Sequence, residues 1–217
     1  MTDPTMPADE TAIDDVPVGE WLAALASDAP APGGGAAAAM NAAMAAALVE
    51  MVCNLTTGKA KFADHDTHIT RIRSDARTTR RRALQLVADD ADAFTALMAS
   101  YRIPKDRPGR AEAIQSATEH AASVPLRIAW TAAEALDLAE ELPGRSNPNV
   151  ASDIGVAAAN AVAAIQSAAL NVEINLESLT DDKTKARIAG ELAECVQATD
   201  QHRIRLLMAE VRKAMDQ

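Results

Sequence analysis

The fold is decided by residues 33–55, which read GGGAAAAMNAAMAAALVEMVCNL. Alanine is the strongest helix former, and the stretch that begins at Ala36 predicts a helix that is apolar on every side. Such a helix is buried in protein or in a membrane. Because alanine is only weakly hydrophobic, and because Asn41, Glu50 and Asn54 interrupt the stretch, we predict a helix inside a protein core and no membrane span.

The composition favours helices along the whole chain. Of 217 residues, 48% are hydrophobic, only 2% are aromatic and about fifty are alanine. Aromatic and β-branched residues favour strands, and no run alternates polar with apolar side chains. We therefore predict an all-α fold and exclude a β-sandwich or barrel.

One domain of about six helical segments is expected. Stretches rich in glycine and proline separate the segments, and the fourth contains Pro125, which should kink or split it. The acidic stretch 1–15 is expected to be a disordered leader, and 16–217 a single helical bundle. The segments are 18–27, 36–56, 64–101, 110–142, 152–178 and 181–214.

Charge and cysteine content disfavour several classes of protein. The net charge is −10, whereas proteins that bind nucleic acids have a basic surface. Cys53 and Cys195 are too few for a disulfide framework, and with four histidines they leave little room for a metal site. The leader lacks the basic region of a signal peptide. We expect a cytoplasmic protein that binds no nucleic acid and no metal.

A second segment, from Ile154 to Val172, contains no charged side chain. One chain of this size can bury one such helix, but this chain has two. Since a partner chain could complete their cover, we expect a homodimer.

Three glycines, Gly33, Gly34 and Gly35, precede the alanine-rich helix. Glycine lets the backbone approach a ligand closely, and a helix start offers unpaired N–H groups to an anion. A flexible connector would have the same composition, and the motif is neither a P-loop nor a dinucleotide fingerprint.

Asp89, Asp90 and Asp92 interrupt an apolar part of the third segment. A buried carboxyl group has a raised pKa and can act as an acid or base near neutral pH. Asp90 is the strongest candidate because Val87, Phe94 and Leu97 share or flank its helical face. The alternative is a solvated face whose acids pair with Arg81 or Arg82.

Asn171 and Asn175 lie in a polar stripe on the fifth segment, together with Asn160, Ser167 and Ser178. Such amides bond either to neighbouring helices or to a heterocyclic ligand with ring nitrogen and oxygen atoms.

Small basic clusters stand out in this acidic chain. Lys59 and Lys61 form one, and Arg102 and Lys105 form another. Exposed lysines are usually only solvated, but these could receive an anionic substrate tail.

Several motifs resemble the formiminotransferase-cyclodeaminase C-terminal family. The resemblance begins at residues 31–39 (APGGGAAAA), 48–51 (LVEM) and 56–59 (TTGK). It continues in the family's order at 90–94 (DADAF), 101–105 (YRIPK), 122–126 (ASVPL), 144–149, 152–153 and 171–176 (NVEINL).

The resemblance implies an all-helical dimer that binds a reduced folate as its substrate and uses no further cofactor. It places the family's catalytic acid at Asp90 and folate contacts at Gly33, Gly34, Gly35, Lys59, Asn171 and Asn175. Because no transferase domain precedes the motifs, the chain resembles the stand-alone form.

The resemblance leaves two reactions open. We expect hydrolysis of 5,10-methenyltetrahydrofolate to 10-formyltetrahydrofolate, and the alternative is cyclodeamination of 5-formimidoyltetrahydrofolate with release of ammonia. A helical interaction module without catalysis is the non-enzymatic alternative.

Overall fold

Helices form where the composition predicts them. The structure, a computed structural model, describes residues 16–216 and has no strand in that range, so the all-α prediction is confirmed. The predicted leader, 1–15, lies outside the described residues. The helices are α1 (Val18–Leu25), α2 (Gly34–Asn54), α3 (Asp66–Tyr101), α4 (Arg110–Glu140), α5 (Ala151–Ser178), α6 (Asp182–Ala198) and α7 (Gln201–Met215), with 3₁₀ turns at Ala60–His65 and Pro148–Val150.

The sixth predicted segment is two helices, α6 and α7. The Thr199 hydroxyl donates to the carbonyls of Cys195 and Val196, at 3.1 and 3.2 Å, and so caps the last turn of α6. The Asp200 carboxylate then accepts the backbone N–H of Arg203 at 2.8 Å, which makes Asp200 the N-cap of α7. The break therefore arises from local capping in an otherwise continuous amphipathic pattern.

Pro125 does not split the fourth segment, since α4 is one helix from Arg110 to Glu140. Proline lacks a backbone N–H, so the carbonyl of Ala121, four residues earlier, lacks the i+4 partner that a helix normally supplies. Asn175 of α5 donates a hydrogen bond to this carbonyl instead, at 2.9 Å.

The alanine-rich helix α2 packs against α3, α4 and α5. Its small side chains let the neighbouring backbones approach closely, and the predicted burial is confirmed along one side of the helix. The fully buried residues of α2 are Ala36, Ala38, Ala39, Ala42, Ala45, Ala46, Val49, Val52 and Cys53.

The charged residue within α2, Glu50, is only 8% exposed. It accepts hydrogen bonds from Nε of Arg77, at 2.8 Å, and Nε of Arg80, at 3.1 Å, both on α3. Burial alone would raise the pKa of this carboxyl group, but the bonds and charges of the two arginines outweigh burial and lower it. Glu50 therefore ties α2 to α3 as a paired ion.

The other sides of α2 and α5 are not covered by the described chain. We call the exposed apolar side chains the outer face; they are Met44 of α2 with Val156, Leu170 and Ile174 of α5. Met44 is 43% exposed, Leu170 67% and Ile174 62%. Two helical stretches, Gly34–Asn54 and Pro148–Ser178, are long and apolar enough to cross a membrane, but core helices of water-soluble proteins also meet that criterion.

Candidate active site

Six of the seven predicted site residues meet in one cavity of about 300 Å³. The start of α2, the second half of α3, the middle of α4 and the second half of α5 enclose it. A volume of this size is at the lower end of the range for small-molecule sites. The lining residues are Pro30, Ala31, Gly33, Gly34, Gly35, Asp90, Ala93, Phe94, Leu97, Ala121, Asn171, Ile174 and Asn175.

Among residues 16–216, Asp90 is the only ionisable side chain that lines this cavity. It projects from α3 and is half-buried, and its carboxylate accepts the backbone N–H of Ala36 in the first turn of α2. Burial raises the pKa of this carboxyl group, and the bond from Ala36 opposes that effect only in part. The carboxyl group can therefore exchange a proton at a higher pH than an exposed aspartate.

Gly35 makes room for that carboxylate. A Cβ atom at Gly35 would lie 2.0 Å from Oδ1 of Asp90, which is far inside the contact distance of two atoms. A Cβ atom at Gly34 would lie 3.4 Å from Nδ2 of Asn171, and at Gly33 it would meet nothing within 4 Å. The backbone at Gly35 therefore lies close to a protein carboxylate, and its predicted approach to a ligand stays a prediction.

The amide of Asn175 is held by two backbone carbonyls. Its Nδ2 donates to Ala121 of α4 at 2.9 Å and to Asn171 at 2.8 Å. Both donor hydrogens are used, so Oδ1 keeps its full capacity as an acceptor. Asn171 is similar, because its Nδ2 donates to the carbonyl of Ser167 at 2.8 Å.

The rest of the predicted polar stripe on α5 does not reach the cavity. Asn160 donates to the carbonyl of Val156 on its own helix, and Ser167 contributes only its carbonyl. Within the stripe, Asn171 and Asn175 alone line the cavity.

Asp89, next to Asp90, is outside the cavity. One of its carboxylate oxygens accepts Nε2 of Gln85 at 3.0 Å, and the other is 3.1 Å from Nη1 of Arg127. Asp89 is therefore an acid paired with an arginine, but the partner is Arg127 of α4 in place of the predicted Arg81 or Arg82.

Lys59 is exposed and lies beyond the far end of α2. A helix with the 21 residues of α2 is about 30 Å long, and the cavity is at its first turn. A single chain therefore does not bring Lys59 to the other predicted site residues.

The apolar wall of the cavity was not among the predicted site residues. Phe94 and Leu97 follow Asp90 at the i+4 and i+7 positions of α3, and Ile174 precedes Asn175 on α5. The helical spacing predicts that Phe94 and Leu97 lie on or beside the face of Asp90, but no sequence signal points to Ile174.

The arrangement suits charge stabilisation and proton transfer. A carboxylate faces a partly apolar cavity, and the amide group of Asn175, whose orientation is fixed, lines the same cavity. Among residues 16–216, no group of three His, Cys, Asp or Glu side chains could hold a metal ion. The chemistry available from the chain itself is therefore acid–base catalysis and electrostatic stabilisation of a cation.

Comparisons with known proteins agree with this arrangement. The family model described as formiminotransferase-cyclodeaminase matches residues 17–194. The chain is 42% identical to the methenyltetrahydrofolate cyclohydrolase of Methylorubrum extorquens over 182 residues, which are 80% of this chain and 88% of that protein. It is 34% identical to the formimidoyltransferase-cyclodeaminase of Sus scrofa over 83% of this chain but only 34% of that protein.

A solved structure is also similar. The crystal structure of formiminotetrahydrofolate cyclodeaminase from Thermotoga maritima superposes with a TM-score of 0.82 at 29% identity, over 94% of this chain and 98% of the other. The family model, the curated relative and the solved structure each match most of the chain, including the helices around the cavity. The chain therefore belongs to the formiminotransferase-cyclodeaminase family.

Proposed function

We propose that the protein is a one-carbon folate enzyme that hydrolyses 5,10-methenyltetrahydrofolate to 10-formyltetrahydrofolate. The main structural support for this reaction is the Asp90 carboxylate, which lines the cavity beside the glycine-rich start of α2. Similarity to a methenyltetrahydrofolate cyclohydrolase over 88% of that protein's length supports this reaction.

The proposed chemistry starts from the positive charge of the substrate. In methenyltetrahydrofolate the charge is shared by N5, the bridging carbon and N10, and ionised Asp90 stabilises it. Asp90 accepts a proton as water adds to the bridging carbon. The bond from that carbon to N5 then breaks, N5 takes its electron pair and a proton from Asp90, and the hydroxyl group loses a proton to become the formyl group. The net reaction consumes one water and releases one proton.

Cyclodeamination of 5-formimidoyltetrahydrofolate is the second candidate. It acts on the same carbon, with N10 as the nucleophile and ammonia as the leaving group. The fold similarity to a formiminotetrahydrofolate cyclodeaminase, with a TM-score of 0.82, supports cyclodeamination as the alternative reaction.

We also propose that a second copy of the chain covers the outer face. That face consists of exposed apolar side chains, and a twofold axis would place the same residues against each other.

The two cysteines, Cys53 and Cys195, are buried free thiols, which suits the cytoplasmic location that we propose.

Our first prediction concerns the substrate. Purified protein should remove the near-ultraviolet absorbance of 5,10-methenyltetrahydrofolate without ammonia, faster than buffer alone. With 5-formimidoyltetrahydrofolate it should neither build up that absorbance nor release ammonia. Rising absorbance and ammonia release with 5-formimidoyltetrahydrofolate, without hydrolysis of 5,10-methenyltetrahydrofolate, would identify a cyclodeaminase. Failure to bind either folate would support the alternative of a non-catalytic interaction module.

The second prediction compares two neighbouring acids. Asp90→Asn should lower kcat by about 10²–10⁴-fold, because an amide cannot accept the proton from water. Asp89→Asn is the matched control and should keep wild-type rates, since Asp89 lies outside the cavity. Equal losses in the two variants would contradict the assignment.

The dependence of kcat on pH provides a further test of the role of Asp90. Because burial raises the pKa of Asp90, kcat should fall on acidification at a higher pH than for an ordinary aspartate.

The stability of the protein should also depend on this carboxyl group. The protonated form is favoured in the folded state, so stability decreases as the pH rises through the folded pKa. Asp90→Asn should therefore melt no earlier than wild type at neutral pH.

The third prediction tests Gly35. Gly35→Ala should reduce kcat/KM by about a hundredfold, because the new methyl group must displace the Asp90 carboxylate. Gly190→Ala is the control, since it makes the same change within α6 where a Cβ atom meets nothing within 4 Å. If Gly35→Ala is as active as the control, the close packing of Gly35 on Asp90 has no role in catalysis.

The fourth prediction tests the homodimer and Lys59 together. Since Lys59 lies about 30 Å along α2 from its own cavity, it can bind the anionic folate tail only at the cavity of a second copy. Sedimentation should give a dimer. Asp90→Asn and Lys59→Ala proteins, each impaired alone, should regain about a quarter of wild-type activity when their subunits are exchanged at random in equal amounts.

The outcomes of that experiment separate the two proposals. A monomer in sedimentation would contradict the homodimer. A dimer that regains no activity on subunit exchange would contradict the role of Lys59, because every mixed dimer should contain one cavity that combines intact Asp90 with intact Lys59.

A further inference from the structure

Pro125 lies inside α4, where a proline disfavours the helix. Its lack of an N–H removes the helical partner of the Ala121 carbonyl. Ala121 is only 8% exposed and lines the cavity, so its carbonyl oxygen is not simply returned to water. Buried carbonyl groups are nearly always hydrogen-bonded, and this one needs a partner from outside α4.

That partner is Asn175 on α5. Its Nδ2 donates to the Ala121 carbonyl at 2.9 Å and to the Asn171 carbonyl at 2.8 Å. Because both neighbours are carbonyl oxygens, only the amide nitrogen can face them, and this determines the orientation of the side chain. Among residues 16–216 no group donates to Oδ1 of Asn175, which remains available to a ligand.

We propose that Pro125 is a positioning residue that keeps the Ala121 carbonyl free to orient the Asn175 amide, so that Oδ1 of Asn175 accepts an N–H group of the substrate. This inference rests on the proposed folate function, because the pterin ring offers amide and amine N–H donors. Any other residue at position 125 would bring its own N–H to the Ala121 carbonyl and compete with Asn175. Without that bond, the amide can turn and offer a donor where the substrate needs an acceptor.

The test is a double-mutant cycle between Pro125 and Asn175. Pro125→Ala should raise KM about tenfold, the effect of one lost hydrogen bond, with a smaller change in kcat. Its melting temperature should stay the same or rise, because alanine restores the helical bond. Asn175→Ala should raise KM by a similar factor, and the double variant should be no worse than Asn175→Ala alone.

Ser123→Ala is the matched control. It changes the same turn of α4 and removes only a local bond to the His120 carbonyl, so KM should stay at the wild-type value. Wild-type KM in Pro125→Ala, or multiplicative effects of the two substitutions in the double variant, would overturn the proposal. If Pro125→Ala does not fold, Pro125→Ser supplies the same N–H and replaces it in the cycle.

A spectroscopic readout separates this inference from the proposed function. In wild-type protein labelled with ¹⁵N, the side-chain amide hydrogens of Asn175 should exchange with solvent more slowly than those of exposed Asn54. In Pro125→Ala this protection should decrease. Equal exchange at Asn175 and Asn54 in the wild type would overturn the inference, whereas protected Asn175 in a protein that turns over no folate would contradict only the proposed function.

Discussion

The carboxylate of Asp90 and the first turn of α2 depend on each other. Gly33 at the helix start has no side chain to cap the free N–H groups, and Asp90 supplies an acceptor from α3. The positive end of the helix favours the ionised carboxylate, whereas burial disfavours it. Burial prevails and raises the pKa of Asp90, which suits a group that must both accept and return a proton. The absence of a Cβ atom at Gly35 is the condition for this contact.

The same principle builds the part of the cavity wall that Asn175 contributes. At the start of α2 a backbone N–H, that of Ala36, has no helical partner, and at Pro125 of α4 a backbone carbonyl has none. Each is bound by a side chain from a different helix, Asp90 from α3 and Asn175 from α5. The unpaired backbone groups of two helices therefore fix the orientation of the Asp90 carboxylate and of the Asn175 amide. On an exposed side chain, either group would rotate freely.

The sequence predicts the helices well because alanine, glycine, proline and helical periodicity act locally. It also identifies Asp90, Asn171 and Asn175, since a polar group on an apolar face needs a partner or a ligand. The role of Gly35 was not predictable, because it depends on which atom of α3 lies opposite. The consequence of Pro125 depends in the same way on α5, and the position of Lys59 relative to the cavity depends on the length of α2. Contacts between segments distant in sequence are what local patterns leave undetermined.

Ile174 belongs both to the outer face and to the lining of the cavity. This residue lines the cavity and is also 62% exposed, so the cavity opens towards the side of α5 that no part of the described chain covers. A second copy on that side would control how much water reaches the bridging carbon. Hydrolysis requires one water beside Asp90, whereas cyclodeamination requires N10 to attack before water does. In the proposed mechanisms the carboxylate of Asp90 serves either reaction, and the two reactions differ in whether water or N10 reaches the bridging carbon first.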